Sequence, residues 1–274
     1  MAAVAGFDVI ARDLNAGLLA AGRSAITKSL DKLVEKGKLE AGARDAALGR
    51  LQLTTSLGEL ARCDLVIEAV SEDLELKNGL WRELDALCPA ETLFASNTSS
   101  LSIMAMARVT GRPDRFVGLH FFNPVPLMPL VEVVRTIATS EATMEAATGF
   151  VRKLGKQAIL ARDSAGFIVN LLLIPYLLDA VRAVERGVAS IQDIDAGMQL
   201  GCGHPMGPLT LLDFVGLDTS LRVGEILYDE FREPRYAPPP LLKRLVLAGW
   251  YGRKSGKGFY DYSATPPVPS ELGL

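Results

Sequence analysis

The sequence is poor in histidine, in cysteine and in net charge. Two histidines occur among 274 residues, His120 and His204, so any imidazole chemistry rests on one of them. The three cysteines, Cys63, Cys88 and Cys202, are odd in number, far apart and never in CxxC spacing. That excludes a disulfide framework or a cysteine zinc site and fits reduced thiols in a cytoplasmic compartment. Lysine plus arginine total 29 against 32 acidic residues, a net charge of −3 with no basic cluster, which excludes the electrostatic footprint of a nucleic-acid binder. The most apolar run, FIVNLLLIPYLLDAV (167–181), is broken by Asn170, Pro175 and Asp179 and is too short for a membrane span of about 20 residues. MAAVAGFDV at the start has no basic region and no cleavage site, and neither repeats nor low-complexity tracts are visible beyond the proline-rich tail TPPVPS. These absences predict a soluble globular protein with neither a membrane nor a nucleic acid as partner.

What is present alternates. FDVIARD (7–13) reads as a strand ending on an acid, followed by a long helical pattern through Leu18, Leu19, Ile26, Leu30, Leu33 and Val34. CDLVIEAV (63–70) is a continuous apolar run of the buried parallel-strand type, and LELKNGLWRELDAL (74–87) is helical. TLFASNTSS (92–100) is a strand running into a polar turn. RFVGLHFF (115–122), LVEVVR (130–135) and QAILAR (157–162) are further strands, with a helix over 142–156. Strands separated by helices imply an α/β fold, a Rossmann-like doubly wound sheet. Residues 123–129 are too few for a helical crossover, so the strands on either side should pair antiparallel. From 163 onward the strands stop and five amphipathic stretches, broken at glycine and proline, predict an all-α second domain over 163–274 after an α/β domain over 1–162. Pro175 falls inside the first of these and predicts a kink.

Antiparallel pairing across the proline loop brings His120 and Glu132 together. A carboxylate bonded to one imidazole nitrogen fixes the tautomer and raises the basicity of the other, which suits proton removal from an alcohol. The same spacing also suits a strand-end histidine satisfied by backbone, with Glu132 on a solvated face. Strands that end in small polar residues put Glu72, Asn97 and Ser99 at the carboxyl edge of the sheet, where open α/β sheets bind ligands. Ser71, Asn97, Thr98 and Ser99 are equally good helix-cap or turn residues. His204 lies in a turn between helices and reads as structural.

GLHFFNPVPLMPLVEVV, LVIEAVSEDLELK, FASNTSSLSI, DSAGFIVN, GHPMGPLTLLDFVGLD and GRKSGKGFYDY together resemble the 3-hydroxyacyl-CoA dehydrogenase family, in particular its 3-hydroxybutyryl-CoA dehydrogenases. The resemblance runs from about residue 7 to residue 262. It implies NAD-dependent oxidation of short (S)-3-hydroxyacyl-CoA thioesters to 3-oxoacyl-CoA, in fatty-acid or butyrate metabolism. His120 and Glu132 would be the catalytic dyad, Ser99 would bond the substrate 3-oxygen beside the nicotinamide, and Asn170 would help hold the thioester carbonyl. Asp13 would bind the adenosine ribose, while Glu72, Lys77, Asn97 and Asn123 would line the nicotinamide side and Lys254 would make a further cofactor contact. Ser29 and Lys36 match positions that touch coenzyme A. The family also implies a homodimer through the helical domain.

The sequence departs from the family pattern at its start. GxGxxG should follow a first strand roughly 20 residues before the ribose-binding acid, but Asp13 has twelve residues ahead of it. The expectation is a clipped reading frame, with two neighbouring strands left without a ladder partner and the pyrophosphate without its helix N-terminus. Leu171 stands where the family usually has arginine. The rival readings are a dehydrogenase of a free hydroxy acid and a non-catalytic relative of the fold.

Overall fold

A computed structural model describes residues 1–273, and they divide into two compact units, Met1–Ser164 and the chain from Ala165 onward. The first unit runs β1 (Val9–Arg12), α1 (Ala16–Glu35), α2 (Ala41–Gly49), β2 (Leu51–Thr54), β3 (Leu65–Glu68), α3 (Leu74–Leu87) and β4 (Leu93–Ser96). It continues with α4 (Ile103–Ala107), β5 (Phe116–Phe121), β6 (Leu130–Arg135), α5 (Glu141–Lys153) and β7 (Gln157–Arg162). The helices start where short polar side chains accept from their first turns: Asn15 from the Leu18 amide, Asp73 from Leu76, Ser102 from Ala105 and Ser140 from Thr143. Asp163, just past β7, adds bonds to the Ile103 and Met104 amides at 2.9 and 2.7 Å and so ties the end of the last strand to α4.

β1 and β2 pair in parallel as a sheet of two, and β3-β4-β5-β6-β7 form a sheet of five in that order. Within the larger sheet only β5 and β6 are antiparallel, as the short proline loop predicts. β1 and β3 are both sheet edges, so each lacks a ladder partner on one side among the described residues. The β2 strand and α2 escape the sequence reading: LQLT is four residues long with Gln52 exposed, too short for its alternation to register.

Alternation along β5 and β6 sorts their residues by face. Val117, Leu119, Val131 and Val133 pack on Met144, Ala147 and Val151 of α5. The opposite set, Phe116, Gly118, His120, Glu132 and Val134, shares the other face. Phe116 there meets Trp81 of α3 and Phe94 of β4 with ring centroids 4.7 and 6.2 Å away. A side chain at Gly118, two residues before His120 on the same face, would press on Val134 and Ile103.

The second unit contains α6 (Val169–Glu185), α7 (Ile191–Cys202), α8 (Pro208–Val215), α9 (Leu217–Phe231) and α10 (Pro240–Leu247) around a core that includes Leu177, Leu178, Leu209, Leu212, Leu227, Leu242 and Phe259. α6 continues through the buried Pro175. The expectation that strands end at residue 163 needs one correction, because β8 (Tyr260–Asp261) and β9 (Val268–Pro269) pair antiparallel near the end of the chain. Two residues each leave no periodicity to read. No helix among the described residues is long and apolar enough to cross a membrane.

Candidate active site

Register decides which residues meet. In the β5–β6 ladder His120 stands directly opposite Glu132, and the imidazole Nδ1 lies 2.6 Å from Glu132 Oε2. His120 is 5% exposed and Glu132 0%, so the reading that placed Glu132 on a solvated face is set aside. An ionised carboxylate only accepts, so the neutral imidazole donates from Nδ1 and carries its lone pair on Nε2. Phe122 packs against the ring with centroids 4.5 Å apart, which limits its rotation.

The turn after β4 is held to the dyad strand. Asn97 Oδ1 accepts from the Phe121 amide at 2.9 Å, one residue beyond His120. Glu72 Oε1 accepts from the Thr98 hydroxyl, from the Ser99 amide at 2.9 Å and from the Ser100 hydroxyl at 3.3 Å. Burial pushes the Glu72 carboxyl up, but these bonds and the Lys77 ammonium outweigh it and hold the group below its ordinary range. Ser99 itself is half-buried beside this carboxylate.

Lys77 is 1% exposed, and its Nζ lies 2.6 Å from Glu68 Oε1 and 3.3 Å from Glu72 Oε2. It therefore sits beneath the turn as part of a buried charge network. Asn123 is exposed just past β5, and Asp13 is half-buried at the carboxyl end of β1, where its Oδ1 accepts from the Leu14 amide at 2.7 Å. Ser29 is half-buried on α1, and Lys36 is exposed at that helix's end. In the second unit Asn170 lies half-buried in the first turn of α6, next to Leu171, whose amide bonds the Gly166 carbonyl. Lys254 pairs with Asp218, its Nζ 2.7 Å from Oδ2. His204 Nδ1 lies 3.0 Å from the Tyr176 hydroxyl, with the rings edge to face, in keeping with a structural role.

Two charged residues that the sequence reading passed over matter here. Glu68 is the buried partner of Lys77. Lys156 donates to the Val125 and Met128 carbonyls, both at 2.6 Å, and so fastens the proline loop between His120 and Glu132. Burial pushes the Lys156 ammonium below its ordinary range. A lysine just ahead of a strand carries no sequence signal for such a task; only the folded loop shows it.

Comparison with known proteins decides the family. Residues 1–164 match the 3-hydroxyacyl-CoA dehydrogenase NAD binding domain, and residues 166–262 match the C-terminal domain of the same family. The chain belongs to the 3-hydroxyacyl-CoA dehydrogenase family. It is 47% identical over 270 residues to a 3-hydroxybutyryl-CoA dehydrogenase of Bradyrhizobium diazoefficiens, covering 98% of this chain and 92% of that one. It is 44% identical to the human mitochondrial hydroxyacyl-coenzyme A dehydrogenase, covering 96% of this chain and 86% of the other. Among solved structures, the (S)-3-hydroxybutyryl-CoA dehydrogenase PaaH1 from Ralstonia eutropha superposes with a TM-score of 0.92 at 44% identity, over 96% of this chain and 93% of that one. Membership makes the chain an NAD-dependent oxidoreductase with a Rossmann-like domain and a helical C-terminal domain, as the six motifs imply.

Proposed function

We propose that this enzyme oxidises short-chain (S)-3-hydroxyacyl-CoA thioesters, 3-hydroxybutyryl-CoA above all, to the 3-oxoacyl-CoA. The observation that carries the reading is the buried His120–Glu132 contact of 2.6 Å, set by the antiparallel register. His120 Nε2 takes the proton from the 3-hydroxyl, and Glu132 stabilises the imidazolium that forms. The Ser99 hydroxyl holds the 3-oxygen, and the Asn170 side chain holds the thioester carbonyl. Ser29 and Lys36 contact coenzyme A.

The residues present suit the ribose and nicotinamide parts of the cofactor. Asp13, a carboxylate at the carboxyl end of β1, has the acceptors that ribose hydroxyls need, and the Glu72–Asn97–Ser99 turn stands at the same kind of strand end in the larger sheet. Asn123 and Lys254 are the remaining candidates to hold it, and Lys77 acts from beneath the turn. When bound, NAD supplies the hydride acceptor. We place the enzyme in the cytoplasm as a homodimer joined through its helical unit, where Leu172, Val188, Leu200 and Leu247 are 65%, 70%, 88% and 86% exposed.

The test is reduction of 3-oxobutyryl-CoA with NADH, run beside the free 3-oxo acid and beside NADPH. Turnover confined to the thioester supports the reading, whereas faster reduction of the free acid transfers the activity to the hydroxy-acid class. The Asp13 carboxylate repels a 2′-phosphate, so kcat/KM with NADH should exceed that with NADPH. Equal efficiencies remove Asp13 from the ribose site.

A further inference from the structure

Glu68 has no role in the reaction as described so far, yet it is one of the most enclosed charges in the first unit, its side chain 0% exposed. Every bond it makes leads toward the turn that carries Ser99. Oε1 accepts from the Val70 amide at 2.7 Å and from Lys77 Nζ at 2.6 Å. Oε2 accepts from the Ser96 hydroxyl at 2.7 Å, and Ser96 is itself 0% exposed. Ser96 Oγ in turn accepts from the Thr98 amide at 3.3 Å, and the Glu68 carbonyl accepts from the Asn97 amide at 2.8 Å. Lys77 also donates to the Val70 carbonyl at 3.2 Å and reaches Glu72, the carboxylate that grips Thr98, Ser99 and Ser100. The turn is thus held from below by two carboxylates that share one ammonium.

We infer that Glu68 is a positioning residue, which sets the Asn97–Ser99 turn through Ser96 and Lys77 without touching substrate. The inference rests on the proposed reading, in which that turn meets the substrate and the nicotinamide. Two features separate this arrangement from an ordinary buried ion pair. A stabilising pair needs only its own two charges, whereas here the second carboxylate oxygen is spent on Ser96, at the last residue of β4. The Asn97 side chain then carries the same constraint across to Phe121, the neighbour of His120. Displacement of a reacting group by about 1 Å costs about 10²-fold in rate, so loss of this support should register in turnover.

The test compares Glu68→Gln, Ser96→Ala and the double change Glu68→Gln/Lys77→Met, with Ser99→Ala alongside. Each is assayed for kcat, for KM of NADH and for melting temperature. Glu68→Gln keeps the shape but leaves Lys77 with only the longer 3.3 Å contact to Glu72, so it should melt earlier and lose about 10- to 100-fold in kcat, with KM for NADH changed less than threefold. The double change also takes the ammonium away from Glu72, so it should melt no later than Glu68→Gln while kcat stays low. Ser96→Ala, which cuts one link only, should fold and lose a smaller part of kcat. If Glu68→Gln is too unstable to assay, Ser96→Ala decides the matter. Recovery of kcat in the double change, or kcat within twofold of the parent in Glu68→Gln or Ser96→Ala, overturns the role of Glu68. A slow Ser99→Ala beside a fast Glu68→Gln does the same while leaving the proposed function intact. A silent Ser99→Ala beside a slow Glu68→Gln removes Ser99 from the substrate and keeps Glu68 acting through Asn97.

Discussion

Glu132 in the first unit and Asp213 in the second are buried to the same degree, 0% and 1% exposed, and they face different partners. Glu132 meets the His120 imidazole, its Oε2 2.6 Å from Nδ1. Asp213 meets fixed donors: the Phe259 and Tyr260 amides at 2.9 and 2.8 Å and the Tyr262 hydroxyl at 3.1 Å. Asp195 repeats the second pattern, accepting from the Leu209 and Thr210 amides and from the Tyr260 hydroxyl. Asp195 thereby binds the first turn of α8 to α7, both aspartates hold the GRKSGKGFYDY segment, and a Cβ at Gly207 or Gly258 would overlap them. Burial lifts Asp213 to about 6, and it pushes the Tyr260 and Tyr262 phenols up as well. A buried carboxylate among amides and hydroxyls anchors backbone. The same group against a titratable base can move a proton.

The largest expected effect is on the proton-moving side. His120→Gln should lower kcat by about 10²–10⁴-fold with little change in melting temperature, measured by NADH-linked turnover and thermal unfolding. A large loss of stability with kcat per folded molecule unchanged would place His120 with the anchors and break the comparison.

Asp213 should behave the opposite way. Its folded pKa of about 6 lies above the ordinary 3.8, so between those values the folded state holds a proton that the unfolded chain gives up. The stability linked to this group is fully present below about pH 4 and is lost as pH rises toward 6, a change of roughly 2–3 kcal/mol. Asp213→Asn cannot titrate, so the parent's unfolding free energy measured against that variant should fall by that amount across the window. Turnover per folded molecule should stay within threefold of the parent. A difference that grows with pH contradicts the assignment.

The smallest effect belongs to an exposed pair. Lys254 and Asp218 lie 2.6 Å apart at their closest, but their side chains are 50% and 38% exposed. Lys254→Ala should therefore cost about 0–1 kcal/mol in denaturant unfolding, with any change confined to KM for NADH. A loss comparable to that at Asp213 would mean that burial is not what separates the two classes.

Much of this was legible before the fold. The short loop predicted the antiparallel direction that brings His120 and Glu132 together, while the spacing alone left Glu132 open to a solvated face, which only its burial closes. The helix over 74–87 and the strand over 130–135 appear with the boundaries the pattern predicts. Lys77 was legible as a residue of interest but not as a buried one, because a lysine on an amphipathic helix reads as solvated until its partner is known. Glu68 was hidden for the matching reason: inside CDLVIEAV it looks like a charge at a strand end, and only β4 and α3 together supply the hydroxyl and ammonium that enclose it. Asp195 and Asp213 occupy ordinary helical positions, and their donors come from segments up to 65 residues away. Local pattern carries no trace of such partners.

The central claim is that His120 and Glu132 act as one unit in proton transfer. A double-mutant cycle tests it directly, with kcat measured for His120→Gln, Glu132→Gln and the two together under saturating NADH and 3-oxobutyryl-CoA. Glu132 works only through the imidazole, so the double variant should be no slower than His120→Gln alone, although Glu132→Gln by itself is slow. Losses that multiply, leaving the double variant slower than His120→Gln by the full factor of the Glu132 change, would contradict the account.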